Sequence, residues 1–467
     1  MFTSPLRAAA RPCRRLTRSS LGTARLSRPL QCLNTRLHRE TPGGTTQRRY
    51  ASDHSAPWRP VSVLDEWVAK EARPISLRQL MVFGRSLTEQ RLISSANYVR
   101  TELPTRLAHR IRDMQQLPYV VVTNSHINDV YNLYYDAFDT FRKVKEIRSL
   151  EDNDRLCDII NTNLKKHLTV IPKLATGIHE CEGLIDRAEI DKFMNVILKS
   201  RISRRAIAEQ HLSLTETYNS PSFSPGATLS DADFIGEVFV KCIAKDVIRH
   251  CGSSAQSLAR TIHGPDCAIP EIKIEGHLGA NFPYILSHLE YIVGELLRNS
   301  VQAVIERHQK SPDAATTQPP PIEVTICEAP QHIIIRISDR GGGIPRDELP
   351  YLWSFSKGSQ RHKRLRDLSK VPKMAATMQE LHTEAELGRA DMKAPPHQSS
   401  LASLSSSRPP HLRLGMGLPL SRVYAEYWAG TLELHSLEGY GVDAFLQISR
   451  LGNKNEQLVT RAAMDAV

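Results

Sequence analysis

The chain has 467 residues, of which 40% are hydrophobic and 24% charged, and its formal net charge is +11. This length and composition fit a soluble globular protein of two domains with tails. No run of eighteen apolar residues occurs, so no membrane-spanning segment is expected. The eight cysteines form no CxxC pair, and this excludes the usual zinc-site spacing and favours core thiols in a reducing compartment.

The first fifty residues carry nearly all of the net charge. Residues 1–49 contain eleven arginines, no lysine and one acid, Glu40, so they account for +10 of the +11. The remaining chain is close to neutral, and no nucleic-acid partner is expected. An Arg-, Ser- and Thr-rich, acid-poor N-terminus is typical of a mitochondrial transit peptide. We predict a transit peptide over 1–50, cut after Tyr50, and import into the mitochondrial matrix; a disordered basic tail is the alternative.

Residues 60–218 are predicted to form a helical domain. Apolar residues recur at three- and four-residue spacing through one short and four long segments, with few strand signals. These segments are 76–81, 89–114, 124–148, 152–181 and 186–218. Four long helical units in succession predict an up-and-down four-helix bundle.

The Pro-, Ser- and Gly-containing segment 219–226 marks a domain boundary, and 230–450 mixes helices with strands. The predicted elements are a helix over 231–251, a strand over 271–274, a helix over 282–308, strands over 322–326 and 332–337, and a strand pair over 430–435 and 442–448. This order predicts an α/β sandwich with one helical layer, so the fold class is α+β. Residues 358–411 are predicted to be a disordered insertion in this domain, and 451–467 a C-terminal tail.

Three polar residues share one face of the helix predicted over 282–308. Glu295, Asn299 and Gln302 stand at positions i, i+4 and i+7. The amide oxygen of Asn299 is a hard ligand suited to Mg²⁺, and the carboxylate of Glu295 can accept a proton from an attacking hydroxyl or water. Taken alone, the spacing favours an exposed polar face of an amphipathic helix.

A glycine-rich loop follows the strand predicted over 332–337. Asp339, Gly341 and Gly343 belong to a DxGGG string at the strand end. Glycines permit close backbone approach to a ligand, and Asp339 can accept a hydrogen bond from an adenine amino group. Taken alone, the string is also compatible with a tight capped loop.

A second glycine motif precedes a helix that extends to Tyr427. Gly415, Gly417 and Leu418 form a GxGL string, and glycines before a helix N-terminus expose amides that bind phosphate. The string matches neither the GxxxxGK[ST] nor the GxGxxG nucleotide motif.

The order of these three motifs resembles the Bergerat-type ATP site of the GHKL superfamily, which includes gyrase, certain chaperones, histidine kinases and mitochondrial protein kinases. Strings at 101–108, 200–205, 209–211, 336–343, 421–427 and 436–443 are similar to those of the mitochondrial 2-oxo acid dehydrogenase kinases of pyruvate and branched-chain type. The resemblance covers roughly 60–450 apart from the insertion.

The resemblance implies a protein-serine kinase that uses ATP and Mg²⁺, with K⁺ as a candidate second cation. It implies that Glu295 is the general base, that Asn299 holds Mg²⁺ and ATP, and that Asp339 reads the adenine. Other residues that it implies contact the nucleotide are Gln302, Gly341, Gly343, Phe355, Ser356, Lys357, Gly415, Gly417 and Leu418. The implied partners are the decarboxylase α subunit of a 2-oxo acid dehydrogenase complex, as the inactivated substrate, and the lipoyl domain of its acyltransferase core. A homodimer and an allosteric pocket in the bundle are implied too.

Three positions depart from the family pattern. Gln302 replaces the usual arginine, and Lys357 replaces a hydroxyl residue. Tyr291, one turn before Glu295, stands where pyruvate-type members often carry histidine, and it resembles the branched-chain type. These departures leave the substrate complex open.

Two other functions fit the same ATP site. A histidine kinase needs a phosphoacceptor histidine, for which His211 is the candidate, although a core histidine is the favoured interpretation. A catalytically degenerate ATP-binding scaffold is the other, because of Gln302 and Lys357. A gyrase- or chaperone-like ATPase is disfavoured because the helical region comes first.

Overall fold

A computed structural model describes residues 61–220, 234–312, 317–356, 361–374 and 414–457. The predicted transit peptide, Lys357 and most of the predicted insertion lie outside these ranges. The C-terminal tail is described as far as residue 457.

The first half of the described chain is helical, as predicted. Its helices are α1 Val61–Val68, α2 Leu77–Arg85, α3 Glu89–Gln115, α4 Tyr119–Val122, α5 Ser125–Arg142, α6 Leu150–Lys166, α7 Val170–Glu180 and α8 Arg187–Asn219. The four long units are α3, α5, α6 with α7, and α8. A 3₁₀ turn, His167–Thr169, joins α6 to α7, so the segment predicted as one helix over 152–181 is two helices joined by that turn.

Side-chain caps fix where these helices begin. Ser76 forms a capping box with Gln79, and Thr88, Ser149 and Asp186 each accept a hydrogen bond from an amide in the first turn that follows. Such caps are readable in sequence, which explains why the predicted starts were accurate.

The helix predicted over 124–148 is too long by six residues. It ends at Arg142 because Asn97 of α3 binds the chain that follows. Asn97 Nδ2 donates to the carbonyl of Ile147 at 2.8 Å, and the Ile147 amide donates back to Asn97 Oδ1 at 3.0 Å. A tertiary partner therefore ends this helix.

The second half contains two sheets and a helical layer. Its elements are β1 Phe234–Ile235, β2 Val238–Ile243, α9 Ala244–His263, β3 Ile272–Gly276, β4 Asn281–Ile285, α10 Leu286–Gln309, β5 Ile322–Glu328, β6 His332–Ser338, α11 Arg361–Leu368, α12 Gly417–Tyr427, β7 Thr431–Leu437 and β8 Gly441–Ser449. The larger sheet has the order β3-β5-β6-β8-β7, parallel only between β3 and β5, and the smaller has the order β1-β2-β4. The predicted α+β class is confirmed.

Two helix predictions in this half are wrong at their starts. The segment over 231–251 begins as the hairpin β1–β2, because Gly236 at φ +60° makes a two-residue turn and Phe234 stacks on Phe239 across the strands at 4.4 Å. The helix predicted from Phe282 begins at Leu286 instead. The preceding residues form β4, which pairs with β2. Short apolar runs do not separate helix from strand by their spacing.

The C-terminal segment 451–457 ties the two halves of the described chain together. The Glu456 amide donates to the carbonyl of Ile75 at 2.8 Å. The Glu456 carboxylate accepts from Arg106 Nη2 of α3 at 2.8 Å and from the Tyr427 hydroxyl at the end of α12. Glu102, a second buried carboxylate, accepts from Arg106 Nε at 3.2 Å. One buried arginine thus links the helical half to α12 through the tail.

Among the described residues, no helix has the length and apolar character needed to cross a membrane.

Candidate functional site

Helix α10 carries the predicted catalytic face. Glu295 is 8% exposed, and its carboxylate lies 3.6 Å from the guanidinium of Arg298. Asn299, one turn later, is exposed. Gln302 donates to Glu306 within the helix at 2.9 Å, so at this position an uncharged side chain is bonded to a neighbouring acid. The helix therefore presents a largely buried carboxylate beside an accessible carboxamide.

Asp339 lies just after β6 and is held by three hydrogen bonds. Its carboxylate accepts from the Ser300 hydroxyl at 2.8 Å and from the Gly341 amide at 2.9 Å, and its own amide donates to Val442 at 2.9 Å. Burial raises the pKa of this carboxyl, whereas the bonds from Gly341 and Ser300 lower it. Because Ser300 follows Asn299, the hydrogen bond between Ser300 and Asp339 fixes the loop after β6 beside the polar face of α10. A carboxylate has about four lone-pair positions, so Asp339 can also accept from a ligand amino group.

Gly341 and Gly343 are required by packing. A Cβ on Gly341 would lie 2.5 Å from the Cβ of Ala303 on α10. Gly343 has φ +76°, and a Cβ there would lie 2.3 Å from the carbonyl oxygen of Leu437. The loop is thus pressed between α10 and the turn that joins β7 to β8. A nucleotide contact of these two glycines stays a prediction.

Arg307 near the end of α10 stabilises this loop, and the sequence reading did not identify it. Its guanidinium donates to the carbonyls of Arg340 at 3.0 Å, Gly439 at 2.9 Å and Tyr440. One side chain therefore clamps the loop after β6 to the β7–β8 turn. Arg307 is exposed and belongs to no motif, so only the fold reveals its role.

Phe355 and Ser356 are buried near the start of the predicted insertion. The Phe355 amide donates to Asp191 Oδ1 of α8 at 2.8 Å, and Ser356 lies 3.2 Å from Ser354 between their hydroxyls. The segment predicted to border the nucleotide is therefore anchored to the helical half. Lys357, the third predicted residue here, lies outside the described residues.

The GxGL string lies where predicted, at the start of α12. Gly415 has φ +71°, and α12 begins at Gly417, with Leu418 in its first turn. The amides of a first helical turn have no partner within the helix, which makes them an anion site. Further along, Tyr424 of α12 packs on Tyr291 of α10 with ring centroids 5.1 Å apart. Tyr291, the position noted as branched-chain-like, therefore makes an aromatic contact with α12, one turn before Glu295 along the helix.

His211 is a core residue. Its Nδ1 lies 3.1 Å from the Ser95 hydroxyl and its Nε2 lies 3.9 Å from Cys157 Sγ. The imidazole is fully buried, and burial lowers its pKa to about 4. A phosphoacceptor histidine must reach ATP, so the histidine-kinase alternative is not favoured.

A cavity that the sequence analysis did not locate lies in the helical half. The cavity is lined by residues of α3, α5, α6 and α8 and by the 3₁₀ turn, with Arg201, Arg204, Arg205 and His167 as its basic members. Arg204 lies 4.3 Å from the ring of Tyr134, and Arg205 pairs with Glu209 at 2.5 Å. Burial lowers the pKa of His167 to about 3, so this imidazole is neutral. Arg201 and Arg204 place two further guanidiniums in the lining of this cavity.

Two family models match the chain. Residues 74–239 match the family described as "Mitochondrial branched-chain alpha-ketoacid dehydrogenase kinase", and residues 285–450 match "Histidine kinase-, DNA gyrase B-, and HSP90-like ATPase". The second match contains α10, the loop after β6 and α12, which are the elements of the site.

Individual relatives are similar over most of the chain. A mitochondrial pyruvate dehydrogenase (acetyl-transferring) kinase 2 from Saccharomyces cerevisiae is 32% identical, covering 85% of each chain. A mitochondrial pyruvate dehydrogenase kinase from Arabidopsis thaliana is 30% identical over 85% of this chain and 97% of its own. Isozyme 4 from Homo sapiens is 26% identical over 82% of each.

Proposed function

This chain belongs to the family of mitochondrial pyruvate dehydrogenase and branched-chain α-ketoacid dehydrogenase kinases, and from that membership we propose its acceptor. It is a mitochondrial protein kinase with an ATP-binding domain. The proposed acceptor is a serine on the decarboxylase α subunit of the pyruvate dehydrogenase complex, which phosphorylation inactivates. The names of the relatives support the pyruvate complex, whereas Tyr291 favoured the branched-chain complex.

The observation that carries this proposal is the bond between Ser300 and Asp339. This bond holds the buried Asp339 carboxylate 2.8 Å from the Ser300 hydroxyl, beside the helix face that carries Glu295 and Asn299. Asp339 would accept from the adenine amino group, and Glu295 would take the proton of the serine hydroxyl as it attacks. The first-turn amides of α12, at Gly417 and Leu418, would bind the phosphates.

Mg²⁺ fits the oxygen donors of this site. Asn299 offers one accessible amide oxygen, and no cluster of three His, Cys, Asp or Glu suited to a metal occurs among the described residues. Mg²⁺ characteristically takes one or two protein ligands together with substrate phosphates and water. Bound in this way it would neutralise phosphate charge, with Asn299 as its protein ligand. K⁺ is proposed as a second cation on the family resemblance alone.

The predicted targeting and domain roles are proposed as well, the targeting from the composition of residues 1–50 and the domain roles from the family resemblance. Residues 1–50 would direct import into the matrix and be removed there. The region 60–218 would dock the lipoyl domain of the complex, and the region 230–450 would catalyse the transfer. The Phe355 amide donates a hydrogen bond to Asp191 of α8, which joins the segment predicted to border the nucleotide to the helical half. This bond supports communication between these regions.

A homodimer is proposed through the larger sheet. Helices α10 and α12 contact one face of this sheet, while the other carries the Arg336–Asp443 ion pair at 3.1 Å and the His435–Phe445 ring contact at 5.5 Å. Strand β7 is the last strand in the order of this sheet and is therefore an edge strand. Edge strands favour pairing with another chain. A monomer mass in sedimentation equilibrium at micromolar concentration would refute the dimer.

The basic cavity in the bundle is proposed to be the allosteric pocket, with a short carboxylate as its ligand. Pyruvate is expected to raise the unfolding temperature of the chain, and Arg204→Met to remove that shift, because the carboxylate would lose a buried cation. Pyruvamide, which has nearly the shape of pyruvate but no negative charge, is the matched control. A shift of equal size with pyruvamide, or in the variant, would contradict a carboxylate site.

The function is tested by incubating the full chain with ATP, Mg²⁺ and each purified complex, followed by mapping of phosphoserines. We expect phosphate on the α subunit of the pyruvate decarboxylase and loss of its activity. Phosphate only on the branched-chain subunit would change the substrate. No transfer to either complex, with ATP still bound, would favour the scaffold alternative.

A further inference from the structure

The described part of the insertion, residues 361–374, is docked on the helical half. Helix α11 packs against α7. The Met374 amide donates to the carbonyl of Leu168 at 3.0 Å, and the side chains of Leu368, Val371 and Met374 are buried. This part of the predicted disordered insertion therefore has a fixed position, set by the 3₁₀ turn that also supplies His167 to the basic cavity.

The docking brings Arg364 of α11 to the phosphate-binding glycines. A Cβ built on Gly415 would lie 2.6 Å from Cζ and 2.8 Å from Nε of Arg364. The guanidinium thus lies against the backbone that leads into α12, where the first-turn amides of Gly417 and Leu418 face no helical acceptor. Any side chain at Gly415 would displace this arginine.

Arg364 is half-buried, and acids of two regions act on its charge. Burial lowers the pKa of its guanidinium, and Glu182, just beyond α7, and Glu348 oppose that effect. An arginine stays protonated in such a place. The positive charge of Arg364 is therefore balanced by carboxylates, and one of them, Glu182, belongs to the helical half.

We propose that Arg364 is a phosphate-contacting residue of the ATP site, delivered by the insertion. The proposal rests on the proposed function. Three observations support it. Arg364 contacts Gly415, and residues 361–374 are anchored on α7 and Leu168. Gln302, which stands in place of the usual arginine, is neutral, and its amide is bonded to Glu306 at 2.9 Å. Phosphate and guanidinium form charge-assisted, bidentate hydrogen bonds, so the nucleotide would compete with Glu182 for Arg364.

The test compares nucleotide affinities of full-length variants by isothermal titration. Arg364→Ala is expected to bind ATP and ADP about tenfold more weakly, with adenosine unchanged because adenosine lacks phosphates. Arg364→Lys should recover part of the loss. Arg366→Ala, an exposed arginine on the same helix, is the matched control and should bind like the wild type.

A second variant tests the competition and does not depend on Arg364 being replaceable. Glu182→Gln should tighten ATP binding a few-fold, since it removes a competitor for the guanidinium. Unchanged or tighter ATP binding by Arg364→Ala would overturn the proposal, as would an equal loss for adenosine. Failure of the wild type to bind ATP would refute the proposed function itself, so the two failures are distinguishable.

Discussion

Replacing Glu295 with glutamine is expected to lower the rate of phosphate transfer by about two to four orders of magnitude. The glutamine keeps the shape of the side chain but cannot take the proton of the serine hydroxyl. Glu295 is largely buried, with Arg298 3.6 Å away, so bulk water does not readily replace it as a base. Single-turnover transfer from labelled ATP to the pyruvate decarboxylase subunit measures the effect, and ATP affinity is expected to change little.

The control for this variant is Glu290→Gln, a second partly buried acid on α10. Burial raises the pKa of Glu290 to about 7, so the folded protein already tolerates the neutral form there, and wild-type transfer is expected. If Glu295→Gln transfers phosphate as fast as the wild type, Glu295 is not the base. A parallel loss of ATP affinity would instead assign Glu295 to nucleotide binding.

Replacing Arg106 with methionine is expected to destabilise the protein by about 3–5 kcal/mol, the usual cost of breaking a buried ion pair by removing one partner. Arg106 pairs with two buried carboxylates, Glu102 and Glu456, and Glu102 also pairs with Arg73. Without it, Glu456 keeps neutral donors, namely the Tyr427 hydroxyl and the Ile75 amide, but no opposite charge. Urea unfolding of the full chain at pH 7.5 gives the free energy of unfolding.

Two further variants make this result specific. Glu456→Gln added to Arg106→Met should recover part of the loss, because it removes the carboxylate that has lost its opposite charge. Arg148→Ala breaks the exposed pair with Glu146 and should leave the urea midpoint unchanged. A loss below about 1 kcal/mol for Arg106→Met would mean that the carboxylates find other partners and that the network does not hold the two halves together.

The starts of α2, α3, α6 and α8 and the positions of the three motifs were predictable because their signals are local. Ser76, Thr88, Ser149 and Asp186 cap helices with their own side chains, and the i, i+4 spacing of Glu295 and Asn299 places both on one helix face whatever surrounds it. Where the partner is distant in sequence, prediction failed. The end of α5 depends on Asn97, and β4 is a strand only because β2 pairs with it.

The sequence by itself determined the α+β order, the family and the three motifs, since periodicity, caps and glycine strings act over a few residues. Only the tertiary structure decided how these motifs are held: Ser300 on Asp339, Arg307 on three carbonyls and Asp191 on the Phe355 amide. It also decided that an arginine of the insertion lies against Gly415. Such contacts join residues tens to hundreds of positions apart, and their geometry exists only once the chain has folded.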